Sequence, residues 1–200
     1  MKARLLAHTP YNMLRERFPS LGWRQLLPHL SYTFAVERIS RACSHQMVRH
    51  RVASFSQQSQ RYITVKRLNE RVVAPLTVED MEVFRCFVAE ASEAYQTLVD
   101  AGVPKEDARF VLPNATETSL LMTMTGAALF HFYGLRCCNR AQWEIRGLAD
   151  AMLVQCREAE PEIFNRAGPY CYMLGYCPEG RFTCGGMTEA VERYTPGGRG

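Results

Sequence analysis

The sequence predicts one domain that combines several helices with a small sheet, of the α/β or α+β class. A chain of 200 residues has single-domain size and can bury a substantial core. Residues 31–38 alternate between apolar and polar side chains, as a strand does, and residues 81–98 repeat apolar side chains every three or four positions, as a helix does. We expect a lead over residues 1–28, a central domain over residues 29–160 and a tail over residues 161–200.

The first elements follow from local pattern. Residues 1–28 are weakly patterned and contain three prolines, which predicts short helical pieces and turns. A half-buried strand over residues 31–38 then places three apolar side chains on one face: Tyr32, Phe34 and Val36. Residues 39–50 predict a helix, in which three polar side chains would project together near the C-terminal end: Gln46, Arg49 and His50. An extended loop follows, with a short strand over residues 61–65.

A long helix is predicted from Thr77, which can cap it, to Ala101. Six apolar side chains form its core-facing stripe: Met81, Phe84, Val88, Ala91, Tyr95 and Leu98. Gly102 suits the end of this helix, and a short helix after it carries Arg109.

The rest of the central domain predicts a strand over residues 120–125 and a helix over residues 127–135. Asn139, with Gln142 three residues later, forms a plausible capping box for a helix that ends near Glu160. The tail beyond it is rich in Gly, Pro and Cys.

Composition sets limits on the class of partner. Hydrophobic residues make up 47% of the chain and charged residues 22%, with a net charge of +4. This charge permits an anionic ligand without requiring nucleic acid. No apolar run reaches transmembrane length and the N-terminus lacks a full signal peptide, so we expect a cytoplasmic protein without a membrane partner.

Eight cysteines are many for a cytoplasmic protein. Three fall within helical patterns and are expected to be buried thiols: Cys43, Cys86 and Cys156. Three others lie in the tail, with a Cys-Cys pair at 137–138 upstream: Cys171, Cys177 and Cys184. Their spacing of five and then six residues matches no familiar zinc pattern, so free thiols are the favoured interpretation. A structural zinc ion and a disulfide remain open as alternatives, and no metal is expected in the active site.

The most informative stretch of the chain is Arg49-His50-Arg51, followed by a segment rich in Ser and Gln that ends at Arg61. Almost every side chain in it can donate a hydrogen bond, and the stretch contains no carboxylate. Guanidinium groups match phosphate and imide edges, so the stretch favours an anion that carries a polar ring. A solvated basic turn is the alternative, but the apolar Val52 and Phe55 tie the segment to a core.

One pattern resembles the signature of the flavin-dependent thymidylate synthases: Arg49-His50-Arg51, followed by seven residues and then Ser59. The flanks at residues 40–46 and 59–62 agree with that signature as well. The resemblance extends to about Pro178 and makes residues 29–160 the catalytic domain with the nucleotide site. It implies that family's fold and its reaction, the reductive methylation of dUMP to dTMP at C5. The cofactors implied are FAD, NADPH and 5,10-methylenetetrahydrofolate. It also implies a homotetramer with its sites at subunit interfaces.

The resemblance assigns roles residue by residue. Seven residues match positions that bind dUMP: Gln46, Arg49, Gln57, Ser59, Arg61, Arg109 and Arg136. Five match or replace positions that contact the flavin: Arg49, His50, Arg51, Gln57 and His131. Arg136 matches the arginine that helps to ionise the uracil at N3, and is the candidate catalytic residue. A fixed guanidinium beside the imide would stabilise its anion and make C5 more nucleophilic.

The chain departs from the family pattern mainly on the flavin side. No flavin-contacting serine is found in the lead, Trp23-Arg24-Gln25 replaces His-Glu-Ser/Thr, and Ala127 replaces an arginine. We therefore expect FAD to bind more weakly than is usual in the family. Two alternatives stay open: a divergent enzyme that modifies another pyrimidine nucleotide such as UMP at C5, and a non-catalytic nucleotide-binding relative that has lost FAD.

Overall fold

The computed structural model describes residues 1–197. Its centre is a four-stranded sheet with the order β1-β2-β4-β3, in which every neighbouring pair is antiparallel. The strands are β1 (Lys2–His8), β2 (Ser31–Ser40), β3 (Ala53–Gln57) and β4 (Glu117–Thr125). Of the two predicted classes, an antiparallel sheet with separate helices corresponds to α+β.

The described residues also form ten α-helices and four 3₁₀ turns. The helices are α1 (Tyr11–Arg17), α2 (Trp23–Leu26), α3 (Arg41–Met47), α4 (Met81–Asp100), α5 (Lys105–Ala108), α6 (Gly126–Arg136), α7 (Trp143–Ala159), α8 (Pro161–Phe164), α9 (Tyr170–Leu174) and α10 (Met187–Tyr194). The 3₁₀ turns are Leu27–His29, Leu68–Glu70, Arg109–Val111 and Gly180–Phe182. No helix in the described range is both long and apolar enough to span a membrane.

The core lies against one face of the two central strands. Across β2 and β4 three apolar pairs face each other and are almost wholly buried: Tyr32 with Met124, Phe34 with Met122, and Val36 with Leu120. Apolar side chains of α6 and α7 belong to the same cluster. The alternation predicted for residues 31–38 is confirmed, because residues two apart on a strand share a face.

The short helical pieces predicted within residues 1–28 are confirmed from Tyr11 on, by α1 and α2, but the prediction was wrong for residues 2–8. Residues 2–8 form the edge strand β1, which pairs with β2, instead of helical pieces and turns. Gln155 of α7 fixes this edge by accepting a hydrogen bond from the Leu5 amide at 2.6 Å and donating one to the Ala3 carbonyl at 2.9 Å. The apolar signal was weak because an edge strand is only partly covered, and Leu6 is 49% exposed.

The predicted helix over residues 39–50 was also wrong at both ends. Strand β2 continues to Ser40 through a bulge between Val36 and Ile39, where Arg38 adopts φ +58°. The bulge breaks the two-residue alternation and returns Ile39 to the core, which produced the apparent helical spacing. Helix α3 ends at Met47, so Arg49 and His50 follow the helix and do not share a helical face with Gln46.

Three other boundaries differ from the predictions. The strand after α3 lies at residues 53–57 and not at residues 61–65, because it pairs with β4 through backbone contacts that its polar sequence does not reveal. Helix α4 begins after Asp80 instead of Thr77, and the Asp80 carboxylate accepts bonds from two free backbone amides. Gln142 is itself the cap of α7 and not the partner of Asn139 in a capping box.

The apolar stripe of α4 is confirmed, and part of it forms a second, smaller cluster in which Val88 and Ala91 pack with Leu68. Cys43 and Cys156 are buried as expected, but Cys86 is exposed on the outer face of α4. All eight cysteines are free thiols. The tail is more helical than its composition suggested, and Ile163 and Phe164 of α8 reach the main core.

Candidate functional site

Helix α3 is anchored by a buried carboxylate. Glu144 of α7, only 2% exposed, accepts hydrogen bonds from the Ser40 backbone amide at 2.7 Å and from the Ser40 hydroxyl at 2.5 Å. The Ser40 oxygen in turn accepts a bond from the Cys43 amide at 2.9 Å and so caps α3. Glu144 therefore helps to fix the start of α3, together with backbone bonds from Arg41 and Ala42 to the Thr116 and Asn114 carbonyls.

The C-terminal ends of α3 and α6 meet at a pair formed by Arg136 and His50. Arg136 is the last residue of α6, and its Nε donates to Nε2 of His50 at 2.9 Å. Its terminal nitrogen donates to the Gln46 carbonyl at 3.3 Å. His50 is 6% exposed, whereas Arg136 is half-buried. The structure thus brings together three residues that the resemblance placed in the site.

The electrostatics of this pair keep His50 neutral. Burial, followed by the positive charge of Arg136 and the proximity of His131, lowers the pKa of His50 to about 4. Because Nε2 accepts the hydrogen bond from Arg136, the ring proton of neutral His50 resides on Nδ1. Burial also lowers the pKa of Arg136. The His50 ring therefore orients the guanidinium, and its Nε2 atom is occupied by that bond.

His131, the position that replaces a flavin-contacting asparagine, lies on the exposed side of α6. Its Nδ1 is 2.6 Å from the Tyr170 hydroxyl, and its ring centroid is 5.9 Å from that of His50. Tyr170 can approach α6 closely because the facing residue is Gly134, where an added Cβ would lie 2.7 Å from the Tyr170 ring. A glycine is needed here to admit the aromatic ring.

A second basic cluster extends along α3 from its first residue, Arg41. Arg41, His45, Gln60 and Arg109 line one cavity of about 230 Å³. Burial, and then the charge of Arg109, lowers the pKa of Arg41, so the two guanidinium groups interact unfavourably across this cavity. The side-chain nitrogen of Gln60 is buried and has no hydrogen-bond partner within the described residues. Two crowded cations and an unsatisfied donor suit an anion.

Sequence reasoning identified Arg109 in this cluster but missed Arg41 and His45. Both lie in the flank at residues 40–46, which was recognised only as part of the family signature. Their signal was their spacing of four residues, which places them on one face of α3.

The remaining predicted residues make contacts within the protein. Gln57 donates from Nε2 to Ser44 at 3.0 Å and to Thr118 at 3.2 Å, which joins β3 to α3 and β4. Ser59 accepts a bond from the Arg61 amide at 3.2 Å. Arg61 forms an ion pair of 2.7 Å with Glu106 of α5. The stretch itself lacks a carboxylate, but the fold supplies one to Arg61.

Arg49 and Arg51 are exposed on either side of buried His50. Neither forms an ion pair with any residue in the range 1–197. Because their charges are not neutralised by the protein, both remain available to an anionic group.

Positions at which this chain differs from the resembled family lie close together in the fold. Trp23 and Ala127 line one cavity of about 600 Å³ together with His131 and Tyr170. The guanidinium carbons of Arg24 and Arg166 lie 5.2 Å and 5.5 Å from the centre of the Trp23 ring. The cavity therefore combines aromatic faces with cations, a donor set that fits a planar, anionic cofactor.

The fold and the site define a class of protein. Two groups of cationic side chains lie along α3. Arg41 and Arg109 share a cavity with an unsatisfied amide, and the Arg136 guanidinium is held by a neutral imidazole. Groups of this chemistry suit an anion attached to a polar ring. A nucleotide monophosphate has this chemistry.

Comparison with known proteins gives the family. A family model described as thymidylate synthase complementing protein matches residues 6–162. The flavin-dependent thymidylate synthase of Geobacter sulfurreducens is 52% identical over 183 residues, covering 90% of this chain and 78% of the relative. That of Nitratidesulfovibrio vulgaris is 47% identical over 176 residues, covering 82% and 71%. The chain belongs to the family of flavin-dependent thymidylate synthases, which are enzymes.

Solved structures share the fold at lower identity. Thymidylate synthase X from Helicobacter pylori, with FAD and dUMP, superposes with a TM-score of 0.69 at 22% identity, covering 82% of this chain and 97% of that one. A UMP/dUMP methylase from Streptomyces cacaoi, bound with 5-Br dUMP, gives 0.67 at 24% identity, covering 82% and 92%. The predicted fold, a small sheet with several helices like that of the flavin-dependent thymidylate synthases, is confirmed.

Proposed function

We propose that this protein converts dUMP to dTMP by reductive methylation at C5, with 5,10-methylenetetrahydrofolate as the one-carbon donor and NADPH as the reductant through FAD. The observation that carries the proposal is the Arg136 guanidinium, held by neutral His50 and the Gln46 carbonyl at the end of α6. A guanidinium fixed in a half-buried position can stabilise negative charge as it develops on a uracil ring.

Arg136 is proposed as the catalytic residue. With its Nε committed to His50, the guanidinium keeps further N–H donors for the N3–C4 edge of the pyrimidine. Their positive charge favours loss of the N3 proton and raises the electron density at C5. Because the arginine is already oriented, little reorganisation is needed when the charge develops.

The nucleotide phosphate is proposed to bind in the cavity at the start of α3. Arg41 and Arg109 would share the phosphate charge, which removes the repulsion between them, and Gln60 would gain an acceptor for its buried amide. Gln46, Arg49, Gln57, Ser59 and Arg61 remain candidates for dUMP contacts, as the resemblance implies. Of these, Gln57 would first have to give up its bond to Ser44, and Arg61 its ion pair with Glu106, before either could bind the nucleotide.

FAD is proposed to bind beside the exposed cations Arg49 and Arg51 and the cavity lined by Trp23 and His131. The donor set fits, since guanidinium groups suit a pyrophosphate and aromatic faces suit a flavin ring. When bound, FAD supplies the reducing equivalents for the one-carbon transfer. Two or three polar contacts fewer than in the family, at about 1 kcal/mol each, predict affinity weaker by one to two orders of magnitude.

The test is product formation by the purified protein supplied with dUMP, methylenetetrahydrofolate, NADPH and added FAD. We expect dTMP, and we expect Arg136→Ala to lower turnover on the order of 100-fold. Arg109→Ala is the matched control, because it removes a guanidinium from the phosphate cavity and should weaken dUMP binding more than turnover. A fully active Arg136→Ala variant would contradict the catalytic assignment.

Product analysis with two substrates and an FAD titration separate the alternatives. A product from UMP but not from dUMP would favour the divergent C5-modifying enzyme. The structurally similar protein from Streptomyces cacaoi is described as a UMP/dUMP methylase. Binding of dUMP without any flavin fluorescence change on FAD titration would favour the non-catalytic relative. Either result would overturn the proposed reaction.

Assembly and location form part of the proposal. A homotetramer with sites at subunit interfaces is supported by the size of the ligand set, since one domain must surround a nucleotide, a flavin and a folate. Light scattering at micromolar concentration should give the tetramer mass, and a monomer would contradict it. A cytoplasmic location is supported by eight free thiols.

A further inference from the structure

Tyr170 of α9 holds the His131 ring by a short hydrogen bond. The Tyr170 hydroxyl lies 2.6 Å from Nδ1 of His131. Both side chains line the cavity of about 600 Å³ that Trp23 also lines, and Tyr170 lines in addition a second cavity, which Arg136 lines. Tyr170 follows residue 162, where the match to the family model ends. No step of the proposed reaction yet uses its hydroxyl.

The Tyr170 ring has a fixed position on α6. It packs against Gly134, where an added Cβ would lie 2.7 Å from the ring carbon that carries the hydroxyl. Gly134 follows His131 by three residues, so both lie on the same side of the helix. Pro169, directly before α9, is buried and restricts the backbone there. The hydroxyl therefore has a defined position beside the His131 ring.

The bond fixes both the tautomer and the orientation of the neutral His131 ring. Burial raises the pKa of Tyr170, so its hydroxyl remains protonated at neutral pH and can donate. Nδ1 of His131 then accepts this bond, and the ring proton resides on Nε2. A flipped ring or the other tautomer would lose the bond. His131 therefore presents its Nε2–H donor in one direction, although the side chain is exposed.

The surroundings of His131 indicate which part of a cofactor this donor would meet. The rings of His131 and His50 are edge-to-face with centroids 5.9 Å apart, and His50 accepts the bond from Arg136. A group bound at His131 is therefore close to the proposed catalytic arginine. The reacting part of FAD is its flavin ring, whose polar edge carries carbonyl oxygens and ring nitrogens that accept hydrogen bonds. In the resembled family an asparagine often occupies this position, and its amide is also an N–H donor.

We propose that Tyr170 is a positioning residue for FAD, which fixes His131 so that its Nε2–H donates to an acceptor atom on the polar edge of the flavin ring. This role rests on the proposed function, because it requires FAD to bind in the cavity lined by Trp23 and His131. The Tyr170–His131 pair then supplies the donor that the asparagine supplies in the resembled family. Tyr170 acts only through His131, so the two side chains form one unit.

FAD titration of the purified chain, followed by flavin fluorescence, tests this role without any turnover. Tyr170→Phe removes the hydroxyl and keeps the ring on Gly134. It should raise the Kd for FAD by about 3- to 10-fold, which corresponds to the loss of one hydrogen bond. Tyr176→Phe, at an exposed tyrosine that lines neither cavity, is the matched control and should leave the Kd unchanged.

A double-mutant cycle separates positioning from packing. His131→Ala should raise the Kd for FAD by the same factor as Tyr170→Phe, and the double variant should differ from either single variant by less than about twofold. His131→Asn should bind FAD almost as tightly as the unmodified chain, since its amide carries its own donor. Losses that multiply in the double variant would show that Tyr170 only supports packing, and would overturn its positioning role.

A second measurement needs no cofactor. Nitrogen NMR chemical shifts of the His131 ring, recorded at about pH 8.5, where an ordinary imidazole is neutral, should show the Nε2–H tautomer in the unmodified chain and both tautomers in Tyr170→Phe. The His131 signals are assigned by their absence from His131→Ala. Nδ1–H as the main form, or an unchanged tautomer ratio in Tyr170→Phe, would overturn this role and leave the proposed reaction standing. No binding of FAD to the unmodified chain at high micromolar concentration would overturn both.

Discussion

Removal of the His50 ring tests how Arg136 is held in place. In His50→Ala, Nε of Arg136 loses the acceptor that now lies 2.9 Å away, while the weaker bond to the Gln46 carbonyl at 3.3 Å remains. The guanidinium should then sample several orientations, because one hydrogen bond cannot fix a planar group. We expect turnover to fall while the affinity for dUMP changes little.

The magnitude follows from the kind of bond that is lost. A hydrogen bond to a charged group contributes about 1.5–3 kcal/mol. If this whole contribution is lost from the transition state, turnover falls by about 10- to 150-fold. His50 is 6% exposed and its ring packs 5.0 Å from the ring of Phe132, so the variant also leaves a cavity. We expect the free energy of unfolding to decrease by about 1–3 kcal/mol as well.

The assay must separate these two effects. Steady-state kinetics of dTMP formation should be measured together with urea unfolding for His50→Ala and His50→Gln. The Gln side chain retains an oxygen that can accept the Arg136 bond, so it should recover most of the turnover. His29→Ala, at an exposed position outside the site, is the control for loss of a histidine.

One outcome would refute the reasoning. If His50→Ala kept normal turnover while its free energy of unfolding fell, His50 would only fill space and Arg136 would be oriented by other contacts. Equal losses in His50→Ala and His50→Gln would instead show that the ring, and not the acceptor atom, is what matters.

Three further predictions concern stability and packing. The folded pKa of His50, about 4, lies below its unfolded value of 6.5, so its contribution to stability is complete above pH 6.5 and is lost as the pH falls towards 4. Chemical unfolding across this range should show a decrease of up to about 3 kcal/mol that is absent in His50→Gln. Gly134→Ala should displace Tyr170, because the new Cβ would lie 2.7 Å from its ring, and should cost about 1–3 kcal/mol in thermal unfolding. Glu144→Gln places an amide donor where a carboxylate oxygen now accepts from the Ser40 hydroxyl at 2.5 Å. The free energy of unfolding should fall by about 1.5–3 kcal/mol, and dUMP binding should weaken because α3 is less firmly held. Unchanged dUMP binding would contradict the anchoring role.

The sequence was sufficient where burial follows a local period. The strand predicted over residues 31–38 and the stripe of α4 are confirmed, because side chains repeat every two residues on a strand and every three to four on a helix. The family was also recognisable from sequence, since the spacing from Arg49 to Ser59 is specific. The roles of the individual site residues stay predictions until the variants are measured.

Tertiary structure decided whatever depends on contacts between distant segments. The bulge at Arg38 could not be predicted, because it changes the strand register and makes a strand imitate a helix. The pairing of Arg61 with Glu106 joins residues 45 positions apart. The crowding of Arg41 and Arg109 likewise arises only when α3 and the turn after α5 meet. A local sequence pattern shows which face of a segment is buried. The side chains that pack against that face come from distant segments, so the charges and pKa values of the site residues are set only in the folded chain.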